Sequence, residues 1–331
     1  MTKKLVVIGS NSFSGAHLVD AALKEGMTVL GISRSIEPDS VFLPYKWGQG
    51  NLDRFSFFQL DLNHDLDQIM TIILGFQPAY IVNFAAQGMV AQSWNSPEDW
   101  LQTNTLSAVK LHFRLLGCGS LKKFIQISTP EVYGSRTGIV KENTCYDPST
   151  PYAVSKAAAD MNLMAMHRQY GFPVVFTRAS NVYGPGQQLY RVIPKAAIHF
   201  LTARPFELHG GGTSVRSFIH IKDVVQGTLK TMVHGTPGTI YHFSTDEYIT
   251  IRSLVKCIAD QIGISFTDNI IDVQERAGKD KYYKLDAGKA GRELGWKAGF
   301  ELEAGIKETI SWIKRNISDF KNRELGYIHK P

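Results

Sequence analysis

The sequence predicts a doubly wound α/β protein, a parallel sheet with helices on both faces, followed by a smaller C-terminal α/β domain. Three observations lead there. Short apolar runs alternate with longer amphipathic stretches through the first half of the 331-residue chain, the rhythm of strand and helix units in a parallel sheet. The runs are rich in Val, Ile, Leu and Phe, as strands buried on both faces are. The first run, "KLVVIG", leads into a turn, "SNSFSG", that opens a helix.

Taken in order, "KLVVIG", "MTVLGIS", "FSFFQLDL", "AYIVNFAA", "KKFIQIS", "FPVVFTRAS" and "TIYHFS" are the expected strands. Between them lie helical patterns such as "SGAHLVDAALKEG" and "SPEDWLQTNTLSAVKLHFRLLGCG". The second of these carries a start signal: Ser96 as N-cap, Pro97 at the first helical position, and Glu98 and Asp99 facing the positive end of the dipole. Gly184, Pro185 and Gly186 then make "VYGPGQQ" a loop, and the later segments are shorter. Residues 1–183 are expected to form the large domain, with segments near 217–245 returning to it, and 184–331 mainly the smaller one. A ligand would sit between them, outside the carboxyl ends of the strands.

Composition narrows the class of protein. The chain is 44% hydrophobic, enough for a large core, and its longest apolar runs, such as "IMTIILGF", fall far short of the roughly 20 residues of a membrane span. The start "MTKKLVVIG" lacks the apolar region and cleavage site of a signal peptide, so a cytoplasmic protein is expected. Cys118, Cys145 and Cys257 have neither disulfide-framework nor metal-ligand spacing; they are read as reduced packing residues, and no metal site is expected. A net charge of +6 suits an anionic ligand. The most basic stretch, "GKDKYYKLDAGKAGRELGWK", is interrupted by Asp280, Asp286 and Glu293 and reads as a solvated face, with no nucleic-acid or membrane partner implied.

The turn after the first strand is a candidate dinucleotide site. Such a turn wants glycine where the backbone bends, where it approaches the pyrophosphate and where helix meets strand. Gly9 and Gly15 hold the outer positions, Ser12 stands at the middle one, and Asn11, Phe13 and Ser14 complete the turn. Taken alone, it is as well explained by an ordinary strand-to-helix connection. The second strand ends in Ser33 and Arg34 with no carboxylate. That favours NADP slightly over NAD, because a basic residue there accommodates a 2'-phosphate; a solvated surface arginine is the competing reading. Asp61, followed by Leu62, is placed to meet the adenine amino group, unless it is a helix N-cap.

"TPYAVSKAAAD" carries the most specific chemistry. Tyr152 and Lys156 are four apart and share a helix face. An ammonium near a phenol favours the phenolate and makes the tyrosine a usable general base. Ser128 and Thr129, at the end of a predicted strand, could hydrogen-bond the same substrate oxygen.

With these motifs in place, the chain resembles an extended short-chain dehydrogenase/reductase of the NAD(P)-dependent nucleotide-sugar epimerase/dehydratase family. The run "NFAAQGMVAQS", "ISTPEVYG", "STPYAVSKAAAD", "TRASNVYGPGQ", "VRSFIHIKDV" and "ERAGKDKYYKLDAGKAGRELGW" spans nearly the whole chain. It is most similar to dTDP-glucose 4,6-dehydratases in its second half and to GDP-mannose 4,6-dehydratases at "AAQ" and "GISRS". The resemblance implies a Rossmann-type domain, bound NAD(P), a nucleotide-diphosphate sugar as substrate and a homodimer. By it, Tyr152 takes the C4 hydroxyl proton, Lys156 holds the ribose and lowers the tyrosine pKa, Thr129 binds the C4 oxygen, and Asn104 orients the lysine through water. Ala85, Ala86 and Gln87 line the cofactor; Asn181, Arg191, Arg216 and Arg276 grip the nucleotide portion of the substrate. Met161, Met164 and Met166 lie on a helix that would pack in the dimer, although they read more simply as the domain's own core.

Glu131 would remove the C5 proton once C4 is a ketone. The resemblance places an aspartate or a serine before that glutamate; here the residue is Pro130, which has no titratable group and no N–H. Either Glu131 handles both protons, or another group or water is the acid, or the reaction stops before elimination. A C4 oxidase or epimerase, a UDP-glucuronate-type decarboxylase and a non-catalytic nucleotide-binding protein are the alternatives.

Overall fold

Seven parallel strands form the central sheet of the computed structural model, which describes residues 3–48, 52–136, 138–274 and 284–330. They are β1 (Lys4–Ile8), β2 (Thr28–Ser33), β3 (Phe55–Gln59), β4 (Tyr80–Asn83), β5 (Lys123–Ile127), β6 (Val174–Ala179) and β7 (Ile240–Phe243). All seven predicted strands are in this sheet, in the order β7-β6-β5-β4-β1-β2-β3. The chain reverses direction across the sheet between β1 and β4, the crevice where such sheets bind ligands.

Side chains leave the strands alternately. Leu5 and Val7 of β1 point with Tyr80 and Val82 of β4 into one core, against helices α1 (Phe13–Lys24), α7 (Ile221–His234) and α9 (Gly288–Leu294). Val6, Ile8 and Ile81 point into the other, against α2 (Leu66–Phe76), α4 (Ala108–Leu115) and α5 (Pro151–Tyr170). Both faces are thus covered, and α7 and β7 bring the segment after Arg216 back to the large sheet. A separate core, with Leu254, Ile258, Ile306 and Ile313, is built by α6 (Val192–Leu201), α8 (Ile251–Ile262) and α10 (Leu302–Arg315).

The helix beginning at Pro97 is not continuous. Its first segment, α3 (Pro97–Leu101), passes through a π-helical turn over Gln102–Ser107 before α4, and the turn carries Asn104. Such turns are frequent at functional sites. Ser96 stands at the N-cap position, but its side chain makes no capping hydrogen bond. Of the three methionines on α5, Met166 is core and Met164 packs against it, whereas Met161 is 53% exposed.

Candidate active site

The site is assembled at the carboxyl ends of β1, β2, β4 and β5. Gly9 ends β1 at φ +84°, a conformation L side chains rarely adopt, and a Cβ there would stand 2.8 Å from the Ala85 nitrogen. A Cβ on Gly15 would lie 2.2 Å from the Gly9 carbonyl oxygen. The two glycines therefore let β1, α1 and the end of β4 close on one another. Ser12, at the position of the expected middle glycine, has an extended backbone and caps α1: its Oγ donates to the Gly9 carbonyl at 2.7 Å and accepts from Gly15 N at 3.1 Å. A serine suffices because the turn needs a cap there and no positive φ. Asn11 N donates to Ser33 Oγ (3.0 Å), and Asn11 Nδ2 donates to the Ser35 carbonyl (2.9 Å), fixing the crossing between β1 and β2. Phe13 is buried in the core and Ser14 is half-buried on the first turn of α1.

Asp61 closes a local turn, its Oδ1 accepting from Asn63 N at 2.8 Å, while Asp65 is the residue at the N-cap of α2. Leu62 points into the core, so only its backbone can face a cofactor. Ala85 N donates to Asn83 Oδ1 (3.1 Å) and Ala86 is exposed. Asn104 is 3% exposed; its Oδ1 accepts from Gln87 N at 2.8 Å, and its Nδ2 donates to the Gln87 carbonyl at 3.1 Å and to Ser155 Oγ at 2.9 Å. Its direct bonds therefore tie the end of β4 to the residue beside Lys156.

Arg34 and Gln87 both reach the C-terminal tail. Arg34 Nη2 (2.9 Å) and Gln87 Nε2 (2.7 Å) both donate to the Lys330 carbonyl of the C-terminal tail. The tail is held further by His329, whose Nε2 is 2.7 Å from Asp99 Oδ2 and whose ring stacks on Trp100 at a centroid distance of 4.9 Å. Nothing in the sequence signals these contacts. A cleft of about 290 Å³ is lined by Asn11 and Phe13 of the glycine turn, by Gln188 and Tyr190, and by Arg323 and Glu324.

The candidate reactive cluster stands just beyond β5 and on α5. Thr150 caps α5 through Ala153 N at 3.2 Å and Pro151 takes its first position. Tyr152 and Lys156 follow one turn apart, and Lys156 Nζ donates to the Ile127 carbonyl at 2.8 Å. Thr129 caps a short 3₁₀ turn over Pro130–Tyr133, its Oγ1 accepting from Glu131 N at 3.4 Å. Pro130 occupies the first position of that turn, where its ring pre-sets φ and its missing N–H costs no hydrogen bond. Burial pushes the Tyr152 phenol well above its ordinary range and the nearby Glu131 carboxylate adds to this; a hydrogen bond from Thr129 and the charge of Arg191 oppose them. This departs from the sequence expectation that Lys156 would bring the phenol down: desolvation and an anion raise it, the groups that lower it are Thr129 and Arg191, and the ammonium is engaged by the Ile127 carbonyl. Burial also pulls Lys156 down, with Asp160 opposing.

The structure thus brings Thr129, Glu131, Tyr152, Lys156 and Arg191 to one place. Asn181 donates from N and from Nδ2 to the Ser217 carbonyl, both at 3.1 Å, beside Arg216, whose Nη1 donates to the Val215 carbonyl at 2.8 Å. Arg276 lies outside the described residues. Sequence reasoning missed Asp160, fully buried one turn beyond Lys156, and its partner Arg178. The same four-residue spacing that singled out Lys156 points to Asp160.

A Rossmann-type sheet with a helix-borne tyrosine and lysine beside a capped strand end is the active-site plan of the extended short-chain dehydrogenase/reductases. Residues 6–309 match the family described as GDP-mannose 4,6 dehydratase, and the chain belongs to that family. It is 30% identical to the dTDP-D-glucose 4,6-dehydratase of Mus musculus over 97% of this chain and 92% of that one. It is 35% identical to the dTDP-glucose 4,6-dehydratase of Streptomyces antibioticus over 71% and 70% of the two chains. A dTDP-glucose 4,6-dehydratase from Streptomyces venezuelae, solved with NAD bound, superposes with a TM-score of 0.86 at 29% identity, covering 95% of this chain and 98% of that one. The UDP-glucose 4-epimerase of Thermotoga maritima gives 0.84 at 26% identity, over 95% and 99% of the two chains.

Proposed function

We propose that this protein is a 4,6-dehydratase of a nucleotide-diphosphate hexose, and that the grouping of Thr129, Glu131, Tyr152 and Lys156 at the end of β5 carries its chemistry. The glycine turn fits a dinucleotide: Gly9 and Gly15 leave no Cβ between β1, α1 and Ala85, and the N-terminus of α1 faces the crevice as a pyrophosphate site does. When bound, the nicotinamide supplies the acceptor and later the donor of a hydride. Tyr152 takes the C4 hydroxyl proton, Thr129 hydrogen-bonds the C4 oxygen, and Lys156 orients the ribose. Glu131 then removes the proton made acidic by the C4 ketone. Pro130 offers no acid for the C6 hydroxyl, so the reading assigns that proton to the carboxylic acid formed at Glu131. Arg191, Arg216 and Asn181 serve the diphosphate and nucleoside, for which arginine's fork is suited.

Ser33 and Arg34, without a carboxylate at the end of β2, support NADP slightly over NAD; competitive titration of the two dinucleotides decides. A homodimer goes with the same reading, supported by Trp94, Leu101, Leu106, Phe113 and Val154, all at least 40% exposed on or beside α3, α4 and α5; light scattering tests it. A cytoplasmic location is part of the reading too, supported by three free cysteines dispersed over the fold.

The deciding experiment is a proton NMR time course in deuterated water with dTDP-glucose, GDP-mannose, CDP-glucose, UDP-N-acetylglucosamine and UDP-glucuronate. A new C6 methyl signal with deuterium at C5 is expected from one of them. A 4-keto product that keeps its C6 oxygen, or release of carbon dioxide, would overturn the reading.

A further inference from the structure

Behind the reactive pair lies a dry cluster of charges. Lys156 is 4% exposed, and Asp160 and Arg178 are fully buried. Asp160 follows Lys156 by one turn of α5 and so lies on the same face. Arg178 comes from β6, and its Nη2 donates to Asp160 Oδ2 at 2.9 Å. Arg178 has further partners: its guanidinium lies 4.5 Å from the Tyr133 ring and 5.1 Å from the Tyr146 ring, and it donates to Tyr146 Oη at 3.0 Å and to the Asn143 carbonyl at 3.3 Å. The same Asp160 oxygen accepts a short bond from Ser128 Oγ. Ser128 sits between Ile127, whose carbonyl receives the Lys156 ammonium, and Thr129.

One carboxylate thus pairs with Arg178, lies one helical turn from the buried Lys156 ammonium, and grips through Ser128 the strand end that carries Thr129. A buried charge without a partner is costly, and Asp160 is the carboxylate that pairs with the buried Arg178. We propose that Asp160, locked in place by Arg178, is a positioning residue of this site, the counter-ion of the buried Lys156 ammonium and the anchor of the strand end bearing Thr129. This rests on the reading of Tyr152 and Lys156 as the reactive pair.

The other groups facing Lys156 do not duplicate the role. Tyr152 is on its own helix, and Glu131 stands on the 3₁₀ turn beside the phenol. His112 of α4 is fully buried and is kept neutral by desolvation, with the Lys156 charge lowering it further to about 3. Arg178 is a cation. Asp160 is the anion that acts on both members of the pair, favouring the ammonium of Lys156 and the neutral phenol of Tyr152. Removing its charge therefore moves both in the same direction: the ammonium loses its proton, and the phenol loses its own, at lower pH.

The test uses Asp160→Asn in the full chain, with carbon-13 at lysine Cε and Lys156→Met to assign the signal. The Lys156 resonance is expected to titrate at a pH lower by about 1 unit or more than in the parent, the size of shift a close counter-ion produces. Both limbs of the pH profile of kcat should move to lower pH while KM changes little, and Asp160→Glu should restore them. A double variant, Asp160→Asn with Arg178→Met, removes the stranded guanidinium and protects folding. It should still show the Lys156 shift, smaller in size because a cation is removed along with the anion, since Asp160 is the charge that acts on Lys156. An unshifted Lys156 titration in a folded variant overturns the proposal. A shifted titration in a protein whose parent turns over no nucleotide sugar leaves the positioning role standing and overturns the proposed reaction instead.

Discussion

Replacing Glu131 with glutamine removes a charge and a base while keeping the shape of the side chain. Two effects follow from the structure, and they act on different steps. Loss of the C5 base should lower overall turnover by about 10²–10⁴-fold, the usual contribution of a positioned general base, which is about 2.7–5.4 kcal/mol of barrier at 1.36 kcal/mol per decade. The oxidation at C4 should survive and change its pH dependence. Burial is the first cause of the raised Tyr152 phenol and Glu131 is the second. A neighbouring anion disfavours the phenolate, so neutralising it lowers the pKa, and the rate of C4 oxidation should reach its plateau at lower pH than in the parent. Single-turnover absorbance in the near ultraviolet follows the oxidation, and mass spectrometry after reaction in deuterated water follows C5. The reasoning fails if C5 takes up deuterium at the parental rate, or if the oxidation limb moves to higher pH.

Three further outcomes are expected. Gly15→Ala places a methyl 2.2 Å from the Gly9 carbonyl oxygen, a backbone contact that cannot relax cheaply; a loss of about 1–3 kcal/mol should appear as a lower thermal midpoint together with weaker dinucleotide binding. Deleting residues 326–331 removes the Lys330 carbonyl from Arg34 and Gln87 and His329 from Asp99. With one charged and one neutral hydrogen bond no longer competing, NAD(P) should bind about tenfold more tightly by fluorescence titration, about 1.4 kcal/mol, and unchanged or weaker binding contradicts it. Pro130→Asp introduces a buried carboxyl beside Glu131; like charges raise one of the two pKa values, so the rise of turnover with pH should come at a higher pH than in the parent, as a pH profile will show.

The fold was legible because its signal is carried by many residues at once. Seven apolar runs buried on both faces, each followed by a turn or helix pattern, leave little choice but a parallel sheet, and Gly9 marks the turn where a side chain cannot go. The π-helical turn at Gln102–Ser107 was not legible: its residues have no period of their own, and Asn104 adopts its place because Gln87 and Ser155 satisfy it from two other elements. The tail was equally hidden, since "GYIHK" has no motif and its contacts on Arg34, Gln87 and Trp100 exist only once the sheet has formed. Ser96 shows the opposite error, a good capping signal whose side chain makes no cap, because Pro97 and the acidic first turn are enough to start the helix.

The spacing of Tyr152 and Lys156 placed them one turn apart on a helix, as they stand on α5, and misled where the chemistry was inferred from the pair alone. An ammonium one turn away should lower a phenol's pKa, but Tyr152 moves up. The difference lies in what acts on each group: Lys156 donates to Ile127 and is favoured as an ammonium by Asp160, while Tyr152 is raised by desolvation and by the Glu131 carboxylate. Pro130 is resolved by the same attention to neighbours. Judged by its side chain it is a missing acid. Judged by its place, between the Thr129 cap and Glu131 at the first position of a 3₁₀ turn, it is the residue that fixes the backbone from which the carboxylate is presented. A rigid turn that carries a single carboxylate suits a group that must take a proton from C5 and return one to the neighbouring C6 oxygen without changing position. On the proposed mechanism the proline and the glutamate then act as one device, the turn holding the carboxylate that takes the C5 proton and returns one to the C6 oxygen.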